Sequence, residues 1–371
     1  MDVAVVGAGL AGLYTAKLLA ARGARVLLLD RKDSLAAPIH TTGIFVRKTW
    51  EDFPLPAEQL GPPIRDVYLY SPALRCLRLT SGRDEFRIGR MEWLYASMLD
   101  ACSGAGVTWL PSATLIACEP GRVVVSRKNR REAYAAQFVV GADGARSLVA
   151  RQLGLDQNSE FLVGLEEIVK APPGAPALHC FVDPRLAPGY IAWIASDGRT
   201  AHVGVAGYRE RFDPSKALAE FRRRVQHIVS GRAIERRGGL IPVNGILRRI
   251  ANDRGLLVGD AAGAVSPLTA GGLDGAMRLS ELAAEVIIRG DLRSYSGERF
   301  QTRFLARRWM RNAMRVAPAP LIEAAFALIK PLARHVFFSR GSFPETTLAE
   351  ESVCARPRFF SPWLQRGSRQ V

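Results

Sequence analysis

Cysteine is scarce and badly spaced for cross-linking. The 371-residue chain has five, at positions 76, 102, 118, 180 and 354. Their number is odd and no two form a CxxC pair, which argues against a disulfide framework and against a zinc or other metal site. A reducing cytoplasm is the expected setting. No run of about 18 uninterrupted apolar residues occurs, so no bilayer-spanning helix is expected. The first expected strand begins at Asp2 or Val3, which leaves no room for a cleavable signal peptide. Internal repeats and low-complexity linkers are missing too. Acidic residues are in short supply: Asp plus Glu total 35 against 51 for Lys plus Arg, a formal net charge of +16. A field of that sign favours nucleic acid, acidic lipid surfaces or phosphorylated ligands. No DNA- or RNA-binding motif accompanies the charge, so specific nucleic-acid binding is not expected.

The composition that remains is that of a folded protein, 48% hydrophobic and 23% charged, on a chain long enough for one compact unit of two intertwined domains. Residues 2–6 (DVAVV) read as a short strand, GAGLAG as a turn, about Leu10–Ala21 as an alanine-rich helix, and Arg25–Asp30 as a second strand. That is a βαβ unit. Two later segments, FVVGADG (138–144) and GLLVGDAAG (255–263), repeat the passage from strand to glycine turn, and a long helix is expected over Gly272–Ile288. Helices are also expected over Met91–Gly104 and Pro214–Val229. Between these units lie short alternating stretches: VYLYSP, LRCLRLT and EFRIG, then FLVGLEEIV, LHCFV, YIAWIA and AHVGVAGY. Such stretches read as antiparallel strands. The interleaving implies a mixed α/β fold. A Rossmann-like dinucleotide domain comes from residues 1–66, 90–158 and 238–298; an antiparallel β-sheet substrate domain comes from 67–89 and 159–237; a helical C-terminal region spans 299–371.

The first chemical motif is Gly7-Ala8-Gly9-Leu10-Ala11-Gly12. It follows a strand and opens a helix, and Asp30 ends the next strand. Gly7 permits the tight turn, Gly9 lets the backbone approach a pyrophosphate at the helix N-terminus, and Gly12 lets helix and strand pack closely. Asp30 suits a ribose diol and disfavours a 2′-phosphate, with Arg31 beside it. This motif alone does not separate FAD from NAD.

GADGARS (141–147) and GDAAGAVSPLTAGGLDGA (259–276) resemble, in that order, segments of the large flavoprotein superfamily that includes aromatic hydroxylases and geranylgeranyl reductases. The resemblance implies FAD. It sets Asp143 near the phosphates, Gly259 and Asp260 at the ribityl–pyrophosphate segment, and Gly271, Gly272 and Leu273 against the isoalloxazine ring. Backbone N–H groups and a helix dipole there would stabilise the negative charge of reduced flavin. IGRMEWLYASMLDACSGAGV (88–107) is similar to a further family segment, which implies that Arg90 lies against the FAD. Within the superfamily the chain most resembles the geranylgeranyl reductase-like flavoproteins, through GDAAGAVSPLTAGGLDGAMRLSELAAE and through Pro188-Gly189-Tyr190 with Trp193. In the family that strand sets an aromatic pair over the flavin and shapes an isoprenoid slot. The family spacing is Tyr-x-Trp-x-Phe-Pro; here it is Tyr190-Ile-Ala-Trp193-Ile-Ala. One extra strand residue is expected to turn Trp193 to the other face unless a bulge compensates. His40, in a loop that in these flavoproteins approaches the flavin, is a candidate general acid, and Tyr190 and Trp193 are the other candidate catalytic residues.

The implied activity is an FAD-dependent reductase or dehydrogenase of an apolar, isoprenoid or lipid-like substrate. A monooxygenase is the alternative and a non-enzymatic prenyl-lipid carrier a further one. The tryptophan–isoleucine–proline signature of flavin halogenases is not found. No second GxGxxG provides for a resident nicotinamide, so NAD(P)H, a ferredoxin or a quinol remains as electron donor. The stretch RFQTRFLARRWMRNAMRV (299–316) interleaves Arg with Phe, Leu, Trp and Met. It reads either as a cap packed on the domain or as a helix lying peripherally on an anionic membrane's inner face. The oligomeric state is not legible.

Overall fold

A computed structural model of the chain describes residues 1–36 and 38–328, and beyond them only residues 333, 337 and 338. Most of the expected C-terminal region past residue 328 therefore lies outside the described residues. The chain opens with β1 (Val3–Val6), α1 (Leu10–Ala20) and β2 (Val26–Leu29). It continues through β3 (Ile44–Val46), α2 (Arg47–Asp52), β4 (Asp66–Tyr70), β5 (Cys76–Thr80), β6 (Phe86–Ile88) and α3 (Met91–Gly104). β7 (Thr108–Leu110) and a meander of β8 (Ala113–Glu119), β9 (Arg122–Arg127) and β10 (Arg130–Ala135) lead to β11 (Phe138–Gly141) and α4 (Leu148–Leu153). Next come β12 (Phe161–Lys170), β13 (Ala177–Phe181), β14 (Ala192–Ser196), β15 (Thr200–Tyr208), α5 (Pro214–Arg224) and β16 (Ala233–Pro242). The last stretch holds β17 (Ala251–Asn252), β18 (Gly255–Leu257), α6 (Leu273–Arg289), α7 (Gln301–Val316) and α8 (Ala319–Ala325).

The first sheet has the order β17-β18-β11-β1-β2-β7, parallel throughout except for the short edge strand β17. Its central strands are VAVV and VLLL, buried at every position, as a sheet covered on both faces requires. α1 and α6 pack together on it: Ser280 Oγ donates to the Ala11 carbonyl (3.1 Å) and the Tyr14 hydroxyl to Glu281 (3.1 Å).

The second sheet has the order β16-β12-β15-β14-β13-β4-β5. It is not wholly antiparallel, as the alternating stretches had suggested: β4 and β13 run parallel. The reason is topological. Residues 66–80 and 177–208 are far apart in the chain, so no hairpin dictates their relative direction. β6 does not join this sheet but pairs with β3. One face is covered by α5, through Leu218 and Phe221 against Phe181, Ala192, Ile194 and Val203. The other face carries Leu69, Cys180, Trp193, Ala195, Ala206 and Tyr208 and looks toward the β3–β6 pair and the C-terminal segment. α5 ends at Arg224, earlier than expected; Asp213 caps its start by accepting from the Ser215 and Lys216 amides. Among the described residues no helix is long and apolar enough to cross a membrane.

Candidate functional site

Close packing at two glycines sets the groove. Gly7 has φ +103°, and a Cβ there would sit 2.3 Å from the Ala142 carbonyl oxygen; one on Gly12 would sit 1.8 Å from that of Gly7. Any side chain at either position would push α1 off the sheet. Gly9 differs. Its φ is −76°, open to any residue, and a Cβ built on it meets nothing within 4 Å. No side chain at the N-cap bonds the first-turn amides of α1. That combination fits a pyrophosphate.

Asp30 accepts from the Ala8 amide (2.7 Å) and the Lys32 amide (2.9 Å) and stays partly accessible. A carboxylate with two bonds made retains lone pairs for a ribose diol. Arg31 and Arg90 are exposed, Arg90 at the start of α3. Asp143 adjoins the Gly7 turn, its amide nitrogen 3.0 Å from where a Gly7 Cβ would stand. Its carboxylate accepts from Ser147 Oγ (2.6 Å) and the Leu148 and Val149 amides (2.7 and 3.1 Å). It is committed to the first turn of α4; burial raises its pKa, and these hydrogen bonds offset only part of the rise.

Asp260 is the opposite case. Gly259, at φ +59° with its missing Cβ only 2.8 Å from that of Ala11, brings the β18 turn against α1. Asp260 then projects between α1 and Gly272, its Oδ1 3.4 Å from where a Gly272 Cβ would stand. It is enclosed by protein except toward the groove. No described group donates to the carboxylate, and burial alone pushes it up to about 6. A half-buried carboxylate without a described donor fits a polyhydroxyl chain. Gly272 begins α6 with no side-chain cap; Gly271 is exposed and Leu273 half-buried. The glycine pair, the orphaned carboxylate and two uncapped helix N-termini thus line one groove, and they fit FAD.

The second sheet meets the turn before α6. Its register places Leu69, Cys180, Trp193, Gly204, Glu166 and Arg237 in one lateral row on the face away from α5. Trp193 therefore shares the inner face with Tyr190, at a ring-centroid distance of 6.4 Å and an interplanar angle of 68°, contrary to the expectation from spacing. The extra residue is absorbed because Tyr190 stands before β14, in the turn that Gly189 makes at φ +74°. Only Trp193 obeys the strand's alternation. Its indole lies on Gly204, where a Cβ would come within 2.2 Å of the ring, and its Nε1 is buried without a partner. The Tyr190 hydroxyl donates to the Thr269 carbonyl (2.5 Å), joining this face to the turn before α6.

His40 is exposed at the rim, its Nδ1 3.0 Å from the Gly238 carbonyl. The buried titratable pair lies elsewhere. Glu166 accepts from Thr42 Oγ1 (2.6 Å), and its other oxygen is 3.3 Å from His202 Nδ1. Burial would raise the Glu166 carboxyl. The bond and charge of His202, the Thr42 hydroxyl and the Arg237 cation outweigh it and hold the group below its ordinary value. Arg237 donates to the Thr41 carbonyl (3.2 Å) and, with Asp260, lies within electrostatic reach of Tyr95. The sequence carried one signal for this pair: parity along FLVGLEEIV points Glu166 inward with Leu162 and Gly164, while Glu167 points out to Arg222 and Arg236.

Comparison with known proteins agrees with this geometry. Residues 5–56 match the NAD(P)-binding Rossmann-like domain and residues 119–288 the FAD binding domain. Digeranylgeranylglycerophospholipid reductase 1 of Methanopyrus kandleri is 31% identical over 310 residues, covering 77% of this chain and 80% of that protein. The chain belongs to the geranylgeranyl reductase-like family. It is an FAD-dependent oxidoreductase of that family. Digeranylgeranylglycerophospholipid reductase 3 of Methanosphaera stadtmanae is 28% identical over 324 residues, 81% of each chain. A geranylgeranyl bacteriochlorophyll reductase-like structure from Thermoplasma acidophilum superposes with a TM-score of 0.79 at 19% identity, covering 88% of this chain and 91% of that one.

Two outcomes follow from the groove. Gly9→Val should leave the melting temperature of the apoprotein unchanged and abolish flavin retention. Gly12→Val should lower the melting temperature itself, because its Cβ strikes backbone. Absorbance per mole and calorimetry on the two variants check the contrast. Asp260 gives a pH dependence. Hydroxyl donors from a bound ligand favour its ionised form, so binding releases a proton where the free carboxyl is protonated. FAD affinity should rise with pH up to about 6, then level off, and Asp260→Asn should flatten the slope in fluorescence titrations from pH 5 to 8.

Proposed function

We propose that this protein reduces a carbon–carbon double bond in an isoprenoid or similar apolar lipid. The carrying observation is the joining of two unlike surfaces: a groove fitted to FAD, and above its ring end a sheet face of Trp193, Cys180, Ala195, Ala206 and Gly204. In this reading Gly7, Gly9, Leu10, Ala11 and Gly12 hold the pyrophosphate, Asp30 with Arg31 the ribose, and Gly259 and Asp260 the ribityl chain. Gly271, Gly272 and Leu273 face the ring. Arg90 closes over the cofactor from α3. Asp143 acts through α4 and not by direct contact. The relatives' names, which specify geranylgeranyl lipids, support the substrate class.

Bound FAD supplies hydride transfer through its N5 atom. The protein's residues supply the rest. Tyr190 and Trp193 orient the chain and exclude water, and the Trp193 Nε1 donates to a polar group of the substrate. Cys180, whose thiol burial pushes up to about 12, stays protonated and acts as an apolar wall. The Glu166–His202 pair with Thr42 holds the proton that saturation of a double bond requires. The exposed His40 is the lesser candidate for that role. NAD(P)H, a ferredoxin or a quinol supplies electrons from outside the groove.

α7 favours a peripheral membrane location in the cell. Leu305 (53% exposed), Trp309 (77%) and Val316 (79%) stand at i, i+4 and i+11 and share one outward stripe, bordered by Arg308 and Arg315. An apolar stripe edged with arginine suits an anionic bilayer surface.

Turnover under strict exclusion of oxygen, with a chemical reductant and a geranylgeranyl lipid, should give saturated product; product that forms only with oxygen would establish hydroxylation instead. The full-length protein should float with vesicles containing anionic lipid, and Trp309→Asp should reduce the bound fraction several-fold; equal flotation of the variant would detach α7 from the membrane.

A further inference from the structure

Arg311 is among the largest fully buried side chains of the protein, 1% exposed, on a helix where Arg307 and Arg308 are half-buried and Arg315 is exposed. Among the described residues it forms no ion pair. Its partners are three backbone carbonyls: Nε donates to Pro267 (2.6 Å), Nη2 to Leu268 (2.8 Å) and Nη1 to Gly189. The guanidinium lies 4.7 Å from the centroid of the Tyr190 ring, whose hydroxyl holds the next carbonyl, that of Thr269. Three successive peptide oxygens, 267 to 269, are thus gripped from one side.

The gripped segment is strained. Ala270 has φ +52°, a left-handed conformation that a residue with a Cβ adopts at a cost. The turn closes on itself through the Ala270 amide to Ser266 O and the Ser266 amide to Gly271 O, both 2.9 Å. It delivers Gly271 and Gly272 to the uncapped start of α6. Carbonyl dipoles satisfy the guanidinium's hydrogen bonds but do not neutralise it. Glu160 acts on the guanidinium only from beyond ion-pair distance; a buried cation without a contacting counter-ion is costly and favours an anion nearby.

We propose that Arg311 is a positioning residue of the flavin site, which makes α7 part of that site: it fixes the Ser266–Gly272 turn and sets a positive charge behind it. This rests on the reading above that the flavin ring faces Gly271–Leu273. Charge and grip make separable contributions. A buried unit charge at an effective dielectric near 20 shifts a nearby equilibrium by roughly tenfold. Arg311→Lys would keep the charge, but a single ammonium cannot span three carbonyls in a fork.

Full-length wild type, Arg311→Gln and Arg311→Lys test this by amide hydrogen exchange on the apoprotein, FAD titration, and the two-electron potential of the bound flavin. Amides 268–272 should exchange about tenfold faster in both variants, with the two sheets unchanged. Arg311→Gln should lower the potential by a tenfold equilibrium shift, about 30 mV, and Arg311→Lys should keep it near wild type. A folded Arg311→Gln protein with wild-type exchange in the turn and an unshifted potential overturns the proposal. If Arg311→Gln does not fold, wild-type exchange of the turn in Arg311→Lys overturns it equally. Failure of the wild type itself to bind FAD would sink the cofactor placement, and the electrostatic half of the proposal with it, while exchange still reports on the grip.

Discussion

The packing of α1 against the β1 and β11 turns, through Gly7, Gly12 and Ala142, is the contact from which the site is assembled. It holds the helix N-terminus at the end of the parallel sheet with its amides unspent, and it leaves room over Gly9 where no Cβ would touch the protein. Gly259 repeats the device from the other side, drawing the β18 turn onto Ala11 and bringing Asp260 into line with the helix. A groove of peptide N–H groups with one carboxylate at its floor is electrostatically incomplete by itself. A phosphorylated polyol completes it.

The lipid-facing half is built on another principle. A sheet face becomes a slot when its central positions are small and its borders bulky. Gly164, Gly204 and Ala206 are the small positions; Trp193, Tyr190 and Tyr208 are the borders. Gly204 lets an indole lie flat on the sheet instead of standing up from it. The second sheet also isolates its charges by parity: Glu166 inward with His202 and Thr42, Glu167 outward with arginines.

What the sequence disclosed and what it withheld divide along a physical line. Local constraints were legible. The glycine loop, Asp30, the strand-to-turn passages at 141 and 259 and the helix after Gly272 all depend on neighbours within a few residues, and the structure has them close to the expected bounds. Constraints that need register or packing were not. The hydrogen bonds by which Asp143 caps the helix that follows it are not announced by its motif. The displaced Tyr190–Trp193 spacing looked disruptive because Tyr190 was counted as a strand residue, whereas it sits in the preceding turn. Glu166 meets Thr42 across 124 residues, and nothing local announces it. Arg311 was indistinguishable from the solvated arginines around it, since only the third dimension buries it.

The order of strands in the parallel sheet has a consequence for biosynthesis. β1, α1 and β2 precede the other strands of this sheet in the chain, yet β1 lies between β2 and β11, and β11 lies beside β18. The nascent N-terminal unit therefore has an unpaired hydrophobic edge until the middle of the chain is made, and lacks its acidic floor until residue 260 appears. A groove that needs residue 260 is complete only after most of the second sheet has been translated. Yellow colour in a preparation consequently reports that distant segments have docked, and its loss in a destabilised variant would register misassembly before any change in secondary structure.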